Sequence, residues 1–161
     1  MKANEMAVTE ASVVICRPVR EVWGYITDAA NLSVWELAVV DATQITDGPM
    51  AVGRQWRGTS RLLGIGWKWV GEFNRCDLNK TTAFKSVQGK LAFSNTTCFD
   101  EVGDGTRFTY RMESEPGLGQ MFGKTLGGRI FGRLAEPIVA AVYRRAVRSR
   151  VQNLANVFAS A

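Results

Sequence analysis

Apolar and polar residues alternate along much of the chain, which is typical of strands that are buried on one face. In residues 106–115 the alternation places Phe108, Tyr110 and Met112 on one face. In residues 67–76 it places Trp67 and Trp69 on one face in the same way. The whole pattern predicts seven strands, at residues 8–16, 36–46, 52–63, 67–76, 81–88, 91–101 and 106–115.

Short polar and glycine-containing segments separate the last six predicted strands. Turns are predicted at 47–49, around Gly64 and Gly66, at 77–80 and at Gly89. The sequence Gly-Asp-Gly at 103–105 is a strong hairpin signal. The consecutive strands are therefore expected to form an antiparallel meander.

Helical spacing of apolar residues appears in three places. Two short helices are predicted between the first two strands, at 18–27 and at 31–35, with Asp28 as the cap of the second. A long helix is predicted at 134–158, with an apolar stripe formed by Leu134, Ile138, Val142, Val147, Val151, Leu154 and Phe158. Residues 117–133 contain six glycines and are predicted to be a weak helix or a mobile loop.

This order of elements predicts an α+β fold in a single domain spanning residues 1–161, with 1–6 as a flexible N-terminus. An antiparallel sheet with one apolar face must be covered, and the C-terminal helix is the one predicted element long enough to cover it. A curved sheet around a helix encloses space. The sequence therefore predicts a partly open cavity between the sheet and the last helix.

The amino-acid composition excludes several kinds of catalytic and metal site. The chain has 161 residues and no histidine, which excludes Ser/His and Cys/His nucleophile pairs and nearly all zinc and non-haem iron sites. No cofactor is therefore expected. Three cysteines without a CxxC motif indicate free, mostly buried thiols in a reducing compartment. The sequence lacks a long apolar run and its first residues lack the apolar core of a signal peptide, so a cytoplasmic location is expected.

Several segments resemble the START/Bet v 1-like superfamily, in its polyketide cyclase/dehydrase and lipid-transport branch. They are VTEASVVICRPVREVWGYITDAANLSVWE, GPMAVGRQW, GDGTRFTYRME and the C-terminal helix. The resemblance covers nearly the whole chain and implies a helix-grip fold, in which a sheet of about seven strands wraps around a long C-terminal helix. It also implies an apolar ligand held between sheet and helix. Because the family includes carriers and cyclases, it does not choose between these roles.

Ligand-binding residues are predicted from strand parity, the helical stripe and the apolar face of residues 117–133, and Trp35 is added because the resemblance implies that this position seals one end of the cavity. They are Trp35, Trp67, Trp69, Phe84, Phe93, Asn95, Phe99, Phe108, Tyr110, Phe122, Phe131, Ile138 and Val142. For Trp35, a plug at one end of the cavity and a ligand contact are equal alternatives. Asn95 and Tyr110, with Ser86 and Thr97, are expected to pair with each other, with water or with a ligand.

Residues 117–133 have a second interpretation, as a gate for the ligand. Their glycines make a helix marginal, while an apolar face can close over a cavity. That face is formed by Met121, Phe122, Leu126, Ile130 and Phe131. The alternative is an ordinary surface loop.

The leading functional hypothesis is binding or carriage of a hydrophobic small molecule. The alternative is a cofactor-free polyketide or aromatic cyclase or dehydratase, in which Tyr110 or an arginine polarises a carbonyl; Glu72 and Arg111 are predicted to face away from the cavity. No catalytic residue is assigned.

Charge suggests a third hypothesis, a peripheral membrane or partner-binding module. The chain has 20 basic and 15 acidic residues, a net charge of +5. Arg144, Arg145, Arg148 and Arg150 are predicted to cover the solvent face of the long helix. Weak contact with anionic membranes and a homodimer are open alternatives. No nucleic-acid partner is expected, because no recognised binding motif is present.

Overall fold

The computed structural model describes residues 7–62, 64–114 and 129–160. It contains seven strands and three helices within those residues. In chain order these are β1 (Ala7–Ile15), α1 (Val19–Ile26), α2 (Ala29–Trp35), β2 (Val39–Gln44), β3 (Gln55–Leu62), β4 (Ile65–Asp77), β5 (Thr81–Gly89), β6 (Phe93–Val102), β7 (Gly105–Ser114) and α3 (Arg129–Ala159).

The strands form one antiparallel sheet in the order β1-β7-β6-β5-β4-β3-β2. Strands β2 to β7 are a meander, and β1 adds to the outer side of β7. The predicted face of β7 is confirmed, because Phe108 and Tyr110 are buried while Arg107 and Arg111 are exposed. The fold is the predicted α+β helix-grip arrangement, a curled sheet with a long C-terminal helix.

The core lies between the inner face of the sheet and the helices. Helix α3 contributes Val147, Val151 and Leu154, all fully buried, and it packs against β1, β7 and α2. Edge-to-face aromatic contacts continue this core across the sheet, from Trp23 to Phe99, from Phe99 to Phe108, and from Phe108 to Trp35. The two short helices are thereby fixed over one part of the inner face. As predicted, Asp28 caps α2, its side chain accepting the N–H of Ala30.

Several predicted boundaries differ from the structure by a few residues, and three of them bear on the predicted turns and helix ends. Strand β4 begins at Ile65, so Gly66 lies inside the strand and the turn is made by Gly64, which has a φ of 80°. Strand β2 begins at Val39, and Glu36 is the residue that ends α2. Helix α3 begins at Arg129, so residues 129–133 of the glycine-rich segment are helical, while 117–128 lie outside the described residues.

Glycines on two central strands make room for aromatic rings on the inner face. A Cβ atom at Gly71 would overlap the ring of Phe84, and one at Gly58 would overlap the indole of Trp69. Neither glycine has a positive φ, so the requirement is for space and not for an unusual backbone conformation. These glycines let the two rings lie against neighbouring strands.

A Gly71→Ala substitution should therefore destabilise the fold by about 1–3 kcal/mol, because the Phe84 ring must move within a packed cluster. Gly66→Ala is the matched control on the same strand, where the nearest atom to a new Cβ is 3.7 Å away. The control should change the free energy of unfolding by less than about 0.5 kcal/mol. Urea denaturation measures both, and equal effects of the two substitutions would contradict this packing.

Candidate functional site

A cavity of about 110 Å³ opens between the inner face of the sheet, α2 and α3. Its wall is largely apolar and contains residues from nearly every element of the fold. The described lining residues are Ile26, Thr27, Leu32, Trp35, Glu36, Ala38, Val39, Trp56, Ser60, Leu62, Trp67, Trp69, Phe73, Thr82, Phe84, Leu91, Ala92, Phe93, Asn95, Thr97, Tyr110, Met112 and Arg150.

One part of the wall is a cluster of interlocked aromatic rings. The indole of Trp69 meets Phe84 and Phe93 nearly perpendicularly, with centroids 5.9 and 6.0 Å apart. Phe84 in turn meets Phe73 at 4.9 Å. The Nε1–H of Trp69 donates to the hydroxyl of Ser60 at 2.9 Å, which fixes the orientation of the indole. This part of the wall is therefore a rigid apolar surface suited to another flat ring.

Another part of the wall is a buried polar cluster around Glu36. The carboxylate forms an ion pair with Nε of Arg150, and each of the two residues is only 3% exposed. The hydroxyl of Tyr110 donates to Oε2 of Glu36 at 3.3 Å, and the backbone N–H of Ala38 donates to Oε1 at 3.3 Å. A cation, a carboxyl group and a phenol therefore meet in the wall of an otherwise apolar cavity.

Each member of this cluster is placed by a different element. Glu36 follows α2 directly, and its own backbone N–H donates to Leu32. Tyr110 lies on the inner face of β7, paired in register with Thr97 of β6. Arg150 lies on α3, three residues after Val147 and four before Leu154, which puts it on the buried stripe of the helix. The cluster therefore forms only when sheet, α2 and α3 are assembled.

Burial raises the pKa of the Glu36 carboxyl above its usual value. The positive charge of Arg150 opposes this rise, as do the hydrogen bonds from Ala38, Tyr110 and Arg150. Desolvation dominates because the carboxyl is fully enclosed and its charged form loses the stabilisation of water. Glu36 is thus a carboxyl group whose protonated form is favoured relative to the same group in water.

Trp35 contributes a further polar atom to the same wall. Its side chain is 2% exposed, and its Nε1–H has no hydrogen-bond partner among the described residues. The ring packs edge-to-face against Phe108 at 5.9 Å and Tyr110 at 5.7 Å. A buried indole N–H usually has an acceptor, so this donor is an unusual feature of a residue that lines the cavity.

The other polar groups predicted for the inner face are mostly paired. The hydroxyls of Thr82 and Thr97 share a hydrogen bond of 2.5 Å. Ser86 accepts the backbone N–H of Phe93 at 3.0 Å and is not among the lining residues. Asn95 lines the cavity. Because three of these four side chains already have hydrogen-bond partners, fewer polar groups are left for a ligand than the sequence suggests.

The structure brings seven of the predicted ligand-binding residues into the cavity wall. They are Trp35, Trp67, Trp69, Phe84, Phe93, Asn95 and Tyr110. Contact with a ligand stays a prediction for all of them.

Of the remaining predicted residues, Phe99, Phe108 and Val142 are described and are not among the lining residues of this cavity. Phe99 contacts Trp23 and Phe108 contacts Trp35 in the core beneath α1 and α2, and ligand contact stays a prediction for both phenylalanines. Val142 is half-buried on α3 and is also absent from the wall. Phe122 lies outside the described residues. Phe131 and Ile138 lie on α3, but their side chains are not among those that the structure describes.

The sequence pattern does not identify Glu36 and Arg150, the two charged side chains among the described lining residues. The pattern places Glu36 in a strand, and it places Arg150 on the solvent face together with Arg144, Arg145 and Arg148. Those three arginines are exposed as predicted, whereas Arg150 is buried. The signal that could have found Arg150 is its position on the apolar stripe of α3.

Two further features concern metals and membranes. Residues 7–62, 64–114 and 129–160 contain no group of three or more acidic or cysteine side chains placed to hold a metal ion. In that same part of the chain, no helix has the length and apolar character needed to cross a membrane.

Sequence and structure comparisons place the chain among known proteins. A family model described as polyketide cyclase / dehydrase and lipid transport matches residues 6–159. None of the curated proteins compared with the chain by sequence matches it.

Solved structures resemble this one in fold. A protein of Thermus thermophilus is 21% identical, with a TM-score of 0.75, over 95% of this chain and 97% of its own. The Zhui aromatase/cyclase of Streptomyces sp. R1128 is 12% identical, with a TM-score of 0.73, over 96% and 94%. A START superfamily protein of Mycobacterium smegmatis is 13% identical, with a TM-score of 0.62, over 93% and 99%. At these identities the likeness establishes the shared helix-grip fold.

The buried ion pair makes a prediction about stability. Arg150→Met alone should lower the free energy of unfolding by about 3–5 kcal/mol, because it leaves Glu36 buried without its partner. The double variant Glu36→Leu/Arg150→Met should recover most of that loss, since apolar replacement of a whole buried pair is often neutral. Urea denaturation measures the cycle, and exposed Arg148→Met is the control. A double variant no more stable than Arg150→Met would contradict the pairing.

The raised pKa of Glu36 makes a separate prediction about pH. Between the unfolded pKa, near 4.5, and the higher folded pKa, the folded protein binds more protons than the unfolded chain. Glu36 therefore makes stability fall as pH rises through this window. Glu36→Gln should flatten the dependence of the unfolding free energy on pH, whatever its effect at one pH. Glu101→Gln, an exposed control on β6, should keep the wild-type curve, and an unchanged curve for Glu36→Gln would refute the assignment.

Proposed function

The chain belongs to the polyketide cyclase/dehydrase and lipid transport family, and we propose that it binds a compact apolar molecule in the cavity beside Glu36 and Arg150. The observation that carries the proposal is the composition of the wall. Rigid aromatic rings surround one buried polar cluster, which is the usual design of a small-molecule site: apolar area supplies affinity and a few polar groups fix orientation.

The size of the cavity limits the ligand. Its volume of about 110 Å³ is somewhat below the roughly 150 Å³ of an engineered protein cavity that binds benzene. A molecule with one small ring is the best match to this space. A long polyketide or lipid chain would need the protein to open further.

Catalysis is the second candidate function, and the Glu36 cluster favours it. Glu36 is a buried carboxyl with a raised pKa, next to a phenol and a guanidinium, and such a group can donate or accept a proton within a water-poor site. Two solved structures of the same fold are described as aromatase/cyclases, the Zhui protein and the di-domain protein StfQ. A cyclase or dehydratase in this chain would use Glu36 to move the proton and Arg150 or Tyr110 to polarise a carbonyl.

Binding and catalysis can be distinguished by whether the bound molecule is chemically changed after incubation with the protein. Native mass spectrometry of freshly purified protein identifies a co-purified molecule. A carrier returns that molecule unchanged after incubation, whereas a cyclase returns an isomer that separates from it by chromatography and a dehydratase returns a product that is lighter by one water. In the catalytic case, Glu36→Gln should stop turnover while retaining the molecule.

The peripheral-membrane hypothesis rests on Arg144, Arg145 and Arg148, which share the exposed side of α3. It stays a prediction, as do the homodimer and the cytoplasmic location. Loss of liposome binding in high salt is its signature, because surface electrostatic attraction is screened by ions.

Trp69 provides the direct test of the binding site. Trp69→Ala should weaken the binding free energy of fluorobenzene by about 1–3 kcal/mol, because the ligand loses apolar contact. The ¹⁹F NMR signal of fluorobenzene measures this binding. Lys68→Ala changes the exposed neighbour on the other face of β4 and is the control. Wild-type binding is expected to be submillimolar. Equal affinities in the two variants would remove Trp69 from the site.

A further inference from the structure

The polar cluster specifies a class of ligand more narrowly than the cavity as a whole. We propose that the cavity binds a small aromatic carboxylate, whose negative charge lies beside Arg150 while Glu36 takes up a proton from solvent. This inference rests on the proposed function, since it concerns which molecule fills the same cavity.

Few of the described residues that line the cavity have charged side chains. Among the described lining residues, the ionisable side chains are Glu36 from the end of α2, Tyr110 from β7 and Arg150 from α3. The guanidinium stays protonated at any ordinary pH. With Glu36 ionised, the pair of Glu36 and Arg150 is neutral, and with Glu36 protonated, the pair carries one positive charge.

A carboxylate ligand is favoured by the second of these states. It would be repelled by an ionised Glu36, but protonation removes that repulsion and leaves the ligand facing Arg150. The burial that raises the pKa of Glu36 makes this protonation less costly than for a carboxyl in water. An amine ligand would instead meet a buried cation, which is unfavourable in a low-dielectric site.

Hydrogen-bond donors support the same conclusion. The guanidinium of Arg150 belongs to the wall, and Trp35, which also lines the cavity, has a buried Nε1–H without an acceptor among the described residues. Trp35 precedes Glu36 directly in the chain, so both belong to the end of α2. A carboxylate ligand offers two acceptor oxygens, and carboxylates form the strongest hydrogen bonds with guanidinium groups.

The proposed step is a change in proton occupancy without a chemical change in the ligand. One proton moves from solvent to a carboxyl oxygen of Glu36, and the carboxylate enters with its charge. The net charge of the cavity, counting ligand, Glu36 and Arg150, is zero both before and after binding.

Three ligands with the same ring test the proposal: benzoate, benzamide and benzylamine. Isothermal titration calorimetry at neutral pH should give benzoate an affinity about tenfold above that of benzamide, with benzylamine weakest, because charge-assisted hydrogen bonds are the stronger ones. Repeating the titration in two buffers of different ionisation enthalpy should show proton uptake with benzoate and none with benzamide. Benzoate affinity should fall as pH rises, while benzamide affinity should not.

Two substitutions assign these effects to residues. Glu36→Gln should abolish the proton uptake and the pH dependence, and benzoate should bind it at least as tightly as wild type. A purely structural role for Glu36 would weaken benzoate and benzamide together. Arg150→Met should abolish the preference for benzoate over benzamide. If Arg150→Met does not fold, the loss of proton uptake in Glu36→Gln tests the proposal by itself. Glu101→Gln is the control and should keep the proton uptake of the wild type.

The outcomes separate this inference from the proposed function. Equal binding of benzoate and benzamide without proton uptake overturns the carboxylate inference and leaves an apolar-ligand site in place. Failure of all three ligands and of fluorobenzene to bind overturns the proposed function and this inference with it.

Discussion

The contact between Glu36 and Arg150 connects the parts of the molecule that enclose the cavity. It holds the end of α2 against α3, and Tyr110 connects both to β7 of the sheet. A buried ion pair is costly to desolvate, so its contribution to stability does not by itself explain its presence. Its position in the wall of the cavity gives it a second role, because it makes one part of an aromatic cavity polar.

The rest of the cavity depends on how the sheet accommodates large rings. Trp69 and Phe84 fit against the inner face because Gly58 and Gly71 carry no side chain there. Mutual edge-to-face contacts then hold the rings in place, and Ser60 fixes the indole of Trp69. A wall built in this way is preorganised, so a ligand need not order it on binding. Affinity for a small ring can therefore arise from a modest cavity.

Strand alternation and helical periodicity are sufficient to predict the architecture. The buried face of β7 and the stripe containing Val147, Val151 and Leu154 follow directly from these periods. The same parity places Trp67 and Trp69 in the cavity wall. Strand parity does not place Phe99 and Phe108, since residues on one face of a sheet can contact either the short helices or the cavity. The curvature of the sheet and the position of α1 and α2 decide which of the two a residue contacts.

The polar cluster could not be predicted for a different reason, because it pairs residues that are far apart in sequence. An arginine on an apolar stripe is a usable signal, but its partner Glu36 follows a short helix whose end the pattern does not locate.

A crystal structure of the protein grown with 4-bromobenzoate tests the central claim most directly, since the anomalous signal of bromine locates the ligand without ambiguity. Bromine is expected within the aromatic part of the cavity, and the carboxylate is expected within hydrogen-bond distance of Arg150. Bromine found only on the protein surface, with the cavity unchanged, would contradict it.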